Sequence, residues 1–367
     1  MRNSFVVEPI LNAARKRTTH GKGIIHLNSV FADFADELNE PGEGEWYGLK
    51  LTGRVVDAYH VECLLADQAA CEVYKALDIR LKRPAALKVL KRTDIPGTAT
   101  SRRFRLEAEI LANLRHPNIL QLYGMHEIDG QPCMALEFID RGTLADALEE
   151  NGPLQVDAAL QVLLRVARAV GTAHRMNVIH RDLKPHNILI DSSIVEPAID
   201  TPLGFIKVAD FGIARFMNRN QSLTSTGTQP GTASFMAPEQ AEARNQEICK
   251  ATDIFSLGAI LYTMLVGVSP FDAPNIVLSL QKIIEGPVPR LSAGCPAVPK
   301  WLEDIYDRCM KWNPAERYPD ADELAFDLYA NMTDSSAVPA RPSASFIMFL
   351  IAGGSLLMAI TWRLLLR

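Results

Sequence analysis

The hydrophobic positions of this 367-residue chain change their period part-way along. From Arg54 to Phe138 they come in short runs bounded by charged or turn residues. Arg54 to Leu65, Glu72 to Leu77, Ala85 to Leu90, Leu120 to His126 and Cys133 to Phe138 predict five strands. The last two are joined by the turn Asp129-Gly130-Gln131. Between the third and fourth, Ser101 to Leu114 sets Phe104, Leu111 and Leu114 among charges, with Ala108 and Ile110 alongside. That spacing predicts an amphipathic helix, ended by His116-Pro117-Asn118. Five strands and one helix make a small lobe.

After Arg141-Gly142 the spacing becomes helical. Leu144 to Glu150, Gln155 to Arg175, Asp253 to Val266, Asn275 to Glu285, Pro299 to Lys311 and Asp320 to Ala330 are the predicted helices. The chain is therefore expected to be α+β, with a β lobe of residues 53–138 and a mainly helical lobe of 140–331. Residues 332–344 hold a polar, proline-bearing linker. Beyond it, Ser345 to Trp362 carries no charge at all. As a helix this run would reach about 27 Å, close to the thickness of a bilayer's hydrocarbon. Residues 345–366 are thus expected to form one C-terminal transmembrane helix, with lipid as its partner. A buried terminal helix is the competing reading, but no polar face interrupts the run. Residues 1–52 read as an extension without a catalytic pattern.

Composition narrows the class. Apolar residues at 48% and charged residues at 22% are the balance of a globular domain. A formal net charge of −5 argues against a nucleic-acid partner, which calls for a basic face. The cysteines at 63, 71, 133, 249, 295 and 309 include no Cys-x-x-Cys pair, so they read as reduced thiols and not as a zinc site. No apolar run follows Arg2, so no signal peptide is expected.

The chemistry gathers in three stretches. His180-Arg181-Asp182-Leu183-Lys184-Pro185-His186-Asn187 puts an acid, a base and an amide within eight residues. Asp210-Phe211-Gly212 follows, then Ala237-Pro238-Glu239. Together with AALKVL, LRHPNIL, KVADFGIA, GTASFMAPEQ, DIFSLGAILYTML and NPAERYPDADEL, these stretches resemble the eukaryotic-like (Hanks-type) bacterial serine/threonine protein kinases over roughly residues 54–331. The resemblance implies the two-lobed protein kinase fold. It also implies ATP and Mg²⁺, or Mn²⁺ in its place, as cofactors, and protein serine or threonine hydroxyls as acceptors.

The residue roles are carried over by the same resemblance. Lys88 would hold the α- and β-phosphates and pair with Glu107. Glu109 competes for that place, but lies about 200° further round the helix and cannot face the same lysine. Asp182 would orient the acceptor hydroxyl and take its proton, and Lys184 would neutralise the moving phosphate. Asn187 and Asp210 would hold the metal through oxygen atoms. Glu137 and Ile139 would offer backbone groups to adenine beside Leu136, and Ala66, Val73, Ala86 and Leu189 would line the same site. His180 is expected to pack with Phe211, Leu111 and Leu122. Asp253 should anchor the catalytic loop, and Glu239 should pair with Arg317.

The pattern breaks in two places. The glycine-rich loop expected before Val73 has Ala66, Gln68 and Cys71 at its three glycine positions, and Asp67 and Glu72 add negative charge there. This opens an alternative to an active kinase: a pseudokinase or weakly active scaffold of the same fold. A small-molecule phosphotransferase is a third reading, disfavoured by Gly231-Thr232 and Ala237-Pro238-Glu239. The second break is residues 191–206, where the resemblance expects only a short hairpin. Ser222, Thr224, Ser225, Thr226 and Thr228 are candidate phosphorylation sites that Arg181 could pair with. Catalysis on cytosolic ATP would place the kinase domain in the cytoplasm, below a single pass through the cell membrane. Ala352-Gly353-Gly354-Ser355 also offers small residues for a homodimer contact in that helix.

Overall fold

The alternation of buried and exposed positions in the first part of the chain closes a sheet. The structure, a computed structural model, describes residues 51–68, 70–91, 99–140, 142–190, 206–211 and 233–336. Backbone contacts divide the chain into two compact units, 1–326 and 327–367. In the first unit the strands are β1 Val55–Val56, β2 Tyr59–Asp67, β3 Cys71–Asp78, β4 Arg83–Leu90, β5 Leu122–Ile128 and β6 Gln131–Glu137. They form one antiparallel sheet in the order β1-β2-β3-β4-β6-β5. One face buries Val61, Tyr74, Leu87, Val89, Cys133 and Ala135 as the core of this lobe.

The sheet has six strands, where five were expected. The stretch 54–65 is not one strand, because Asp57 adopts a left-handed backbone (φ 50°) and turns it into a hairpin in which Val56 faces Tyr59. Aspartate tolerates that conformation better than most side chains. β5 also starts late. Residues 118–120 pair elsewhere: the Leu120 N–H donates to Val208 O, and the Val208 N–H donates to Asn118 O. The β5–β6 turn has Asp129 and Gly130 both at positive φ (50° and 82°), the geometry that a two-residue hairpin needs.

Helix α1, Ala99–Asn113, buries Phe104, Ala108 and Leu111 at four- and three-residue spacing, and rests on β5 and β6. After the hinge come α2 Leu144–Asn151 and α3 Val156–Arg175. Thr143 and Asp146 cap α2 reciprocally: the Asp146 N–H donates to Thr143 Oγ1, and the Thr143 N–H donates to Asp146 Oδ2. The two-residue strands β7 Ile188–Leu189 and β8 Lys207–Val208 pair antiparallel beneath the sheet lobe. Then follow α4 Pro238–Ala241, α5 Lys250–Val266, α6 Ile276–Glu285, α7 Leu291–Gly294, α8 Lys300–Cys309 and α9 Ala321–Ser336. Every residue of α5 from Ala251 to Leu265 is buried, which makes it the axis of the helical lobe. It stops at Gly267, whose φ of 87° suits a glycine C-cap.

Helix α5 also receives a buried ion pair. Glu239 and Arg317 are both inaccessible, and join through two parallel bonds of 2.8 Å. Arg317 further donates to the carbonyls of Lys311, Trp312 and Ala251, and Thr252 Oγ1 donates to Glu239 Oε1. Both charges are thus fully solvated by protein groups. In the second unit, the described residues are the last turns of α9, where Asn331 Nδ2 donates back to Asp327 O at 2.9 Å.

The expected transmembrane helix at 345–366, residues 1–50 and the candidate phosphorylation sites at 222–228 lie outside the described residues. Among the described residues no helix is long and apolar enough to cross a membrane. None of the six cysteines, all of them described, is disulfide-bonded.

The Glu239–Arg317 pair yields a direct prediction. Arg317→Ala strands a buried carboxylate and should cost about 3–5 kcal/mol in urea unfolding. The double variant Glu239→Gln/Arg317→Met should lose less than the two single changes summed; strict additivity would refute the coupling.

Candidate active site

The face of the sheet opposite its core carries the first half of the site. Residues directly across a ladder share a face, and successive residues alternate. Ala66 faces Val73, Val73 faces Lys88, and Lys88 faces Met134; Ala86 faces Leu136 on the same side. Ala66, Val73, Ala86 and Lys88 therefore share one surface. Lys88 Nζ reaches from it to two carboxylates, donating to Glu107 Oε1 at 2.9 Å and to Asp210 Oδ1 at 2.8 Å. Glu109, the competing residue, is exposed on the far side of α1.

Electrostatics follow from this packing. Burial works against the Lys88 charge, but Asp210 and Glu107 outweigh it and hold the ammonium well above its ordinary pKa. Lys88 holds the Asp210 carboxyl below its ordinary pKa. For Glu107 burial is the larger effect, so its carboxyl is raised, and Lys88 offsets only part of that. Asp210 itself sits at φ 53°, a backbone that few residues other than glycine adopt. Its neighbours β7 and β8 and the Ala209 N–H bond to Asn187 O (2.9 Å) hold it there.

The second half lies on the loop between α3 and β7. Lys184 Nζ is 3.2 Å from Asp182 Oδ2. Asn187 Nδ2 donates to Asp182 O at 2.7 Å and to Asp182 Oδ2 at 3.1 Å. Asn187 is buried, and its amide nitrogen is committed to Asp182. The Asn187 amide oxygen and the Asp210 carboxylate are hard donors, which would suit Mg²⁺ or Mn²⁺.

The loop is held from below. Asp253 on α5 is fully buried and accepts from the His180 N–H (2.7 Å), the Arg181 N–H (2.8 Å) and His174 Nε2 (2.9 Å). Burial pushes its carboxyl upward, but these donors prevail and keep it below the usual range. His180 is buried too, which lowers its pKa; its Nε2 meets Ala209 O at 3.0 Å, and its ring lies 4.6 Å from that of Phe211. Gln240 Nε2 donates to Arg181 O and ties the loop to α4.

At the end of β6, the Glu137 N–H donates to Gln121 O at 2.9 Å. Its side chain binds the buried Lys207 at 2.8 Å. Ile139 follows half-buried, and Leu189 on β7 is half-buried too. Sequence reasoning missed Lys207, His174 and Gln240. For Lys207 a signal existed: a lysine in the short apolar stretch just before Asp210 needs a partner once buried.

The acidic residues of the degenerate lid do not lie as the sequence suggested. Asp67 faces Glu72 in the ladder, and Glu72 faces Val89, so both carboxylates sit on the face away from Lys88. The pleat, not the composition, decides this.

A sheet lobe over a helical lobe, with a lysine–carboxylate bridge above an Asp–Lys–Asn loop, defines a protein kinase. The protein kinase domain family matches residues 59–328. The serine/threonine-protein kinase PknL of Mycobacterium tuberculosis (strain H37Rv) is 34% identical over 281 residues, covering 77% of this chain and 67% of PknL. PrkC of Bacillus subtilis (strain 168) is 33% identical over 281 residues, and the match spans 41% of its length. Among solved structures, the PknI kinase domain of Mycobacterium tuberculosis superposes with a TM-score of 0.57 at 26% identity, over 76% of this chain and 98% of that one. The chain belongs to the bacterial Hanks-type serine/threonine protein kinases.

Asp253 gives a pH prediction. A carboxyl held below its unfolded value stabilises the fold above roughly pH 4, and that stability is lost as the pH falls through its folded value. Asp253→Asn should cost about 3 kcal/mol near neutrality. It should also flatten the acid side of the stability profile, measured by denaturant titration between about pH 3 and 7. Parallel acid limbs for variant and wild type would contradict this.

Proposed function

We propose that this serine/threonine kinase is catalytically active, uses ATP with a divalent metal, and is anchored in the cell membrane by its C-terminal run. The observation that carries the catalytic part is the Lys88 bridge, 2.9 Å to Glu107 and 2.8 Å to Asp210, which gathers the nucleotide-binding groups of both lobes. In this reading Lys88 binds the α- and β-phosphates. The adenine lies between Ala66, Val73 and Ala86 above and Leu189 below, against the Glu137 carbonyl and the Ile139 N–H. Asn187 and Asp210 hold the metal, which supplies charge neutralisation for the phosphates when bound. Asp182 orients the serine or threonine hydroxyl and accepts its proton; Lys184, beside it, balances the charge of the transferring phosphoryl group.

The scaffold reading drew its force from the missing glycines and the acidic lid. Turning Asp67 and Glu72 away from Lys88 removes the second objection, which favours the active reading. Incubation of the chain with labelled ATP and Mg²⁺ should give transfer to itself or to a generic basic protein. Asp182→Asn and Lys88→Met should each lower the rate by about 10²-fold or more. Wild-type transfer no greater than that of Asp182→Asn would leave the scaffold reading standing.

Membrane anchoring draws on the charge-free run from Ser345 to Trp362. ATP chemistry then puts the kinase domain in the cytoplasm, and small residues 352–355 favour a homodimer in the bilayer. A chain truncated after Ser336 should move from the membrane to the soluble fraction; retention at the membrane would refute the anchor. A phosphate added within Ser222–Thr228 is an anion that Arg181 could pair with. Phosphopeptide mapping of active enzyme should find at least one of Ser222, Thr224, Ser225, Thr226 and Thr228 modified.

A further inference from the structure

The lid raises a physical question that its lack of glycines makes acute. Glycines let backbone N–H groups approach phosphates without a Cβ in the way. Here residues 66–72, at the end of the β2–β3 hairpin, include no glycine and two carboxylates, Asp67 and Glu72. Its turn is closed by Gln68 N–H donating to Cys71 O at 2.9 Å. Directly behind it, the Lys91 N–H donates to Ala70 O at 2.8 Å. The Lys91 side chain then turns to the hairpin, and Nζ meets Asp67 Oδ1 at 2.5 Å. Lys91 is mostly buried and Asp67 mostly exposed, so the pair lies at the hairpin surface with its cation anchored beneath.

The other carboxylate is held differently. Glu72 is only 5% exposed, and Tyr74, two residues on and on the same face, donates its hydroxyl to Glu72 Oε2 at 2.7 Å. Burial and the Glu72 charge keep the phenol protonated far above neutrality, so it remains a donor. Each negative charge of the lid therefore has its own partner on the face opposite Lys88.

We propose that Lys91 is a positioning residue of the nucleotide lid: strand register turns Asp67 away from the cleft, and Lys91 neutralises its charge there, so that a hairpin without glycines tolerates a triphosphate beside it. The inference rests on the cleft being the ATP site. In this reading Lys91 touches no reacting atom; it cancels the Asp67 charge at the end of the lid. Its effect belongs to nucleotide binding, not to the chemical step.

The test is steady-state phosphorylation by the full chain, with ATP varied. Lys91→Met should raise KM for ATP by roughly 3- to 10-fold, the weight of one uncompensated charge near a polyanion, and leave kcat within about twofold. The rise should shrink at high salt, and Lys91→Arg should be close to wild type. Asp67→Asn alone should not raise KM, and Asp67→Asn/Lys91→Met should restore it. An unchanged KM in Lys91→Met overturns the proposal. So does an Asp67→Asn variant as impaired as Lys91→Met, because the ion pair would then be a mere structural tie. If Lys91→Met does not fold, the comparison of Asp67→Asn with Asp67→Asn/Lys91→Met decides: equal KM values support the proposal, and a several-fold higher value in the double variant overturns it. A wild type that binds no fluorescent ATP analogue overturns the proposed function and this inference together. Transfer by wild type with an unaltered Lys91→Met overturns the inference alone.

Discussion

The whole molecule answers to one buried ammonium. Lys88 is buried, and the Asp210 and Glu107 carboxylates hold its charge against that burial. Those two groups come from distant parts of the chain. Glu107 requires α1 to be docked on β5 and β6 with the correct face inward. Asp210 requires β8 to be paired with β7 and its backbone to take a left-handed turn. A defect in either lobe thus reaches the same lysine. Two carboxylates on one cation also leave a net negative site, which is suited to a metal ion brought in with the nucleotide.

The helical lobe supplies the rigidity that this arrangement needs. α5 is buried almost end to end and holds Asp253 beneath the catalytic loop, where three donors converge on one carboxylate. Its N-terminal turn borders the Glu239–Arg317 pair through Thr252 and Ala251. Both features are charges without access to water. Each is tolerable only because its hydrogen-bonding capacity is filled. The cost of removing one partner is correspondingly large, and the shape of the loop carrying Asp182 depends on it.

The lid shows how a fold can absorb an unfavourable composition. Glycines would have solved the approach of backbone to phosphate by absence of side chains. This hairpin instead sorts its side chains by face. The small Ala66 and Val73 lie on the cleft side; Asp67 and Glu72 lie on the other, each with a partner. One residue of register would reverse the assignment and put both carboxylates over the nucleotide.

Much of this was written in the chain itself. Strand and helix periods located the sheet lobe, α1 and α3 within a few residues, because burial of one face imposes those periods directly. Asp182, Lys184 and Asn187 share one loop and so lie close in sequence; their roles, and that of Asp210 beyond β8, were legible through the resemblance to the kinase family. Tertiary structure alone decided the rest. It split 54–65 into two strands at Asp57, where a local turn overrode a continuous apolar pattern. It gave Lys207 to Glu137 and His174 to Asp253, pairings between segments whose separation in sequence carries no trace of their contact. And it turned Asp67 and Glu72 outward, because the face a side chain occupies follows from ladder register, and register is fixed only when strands meet.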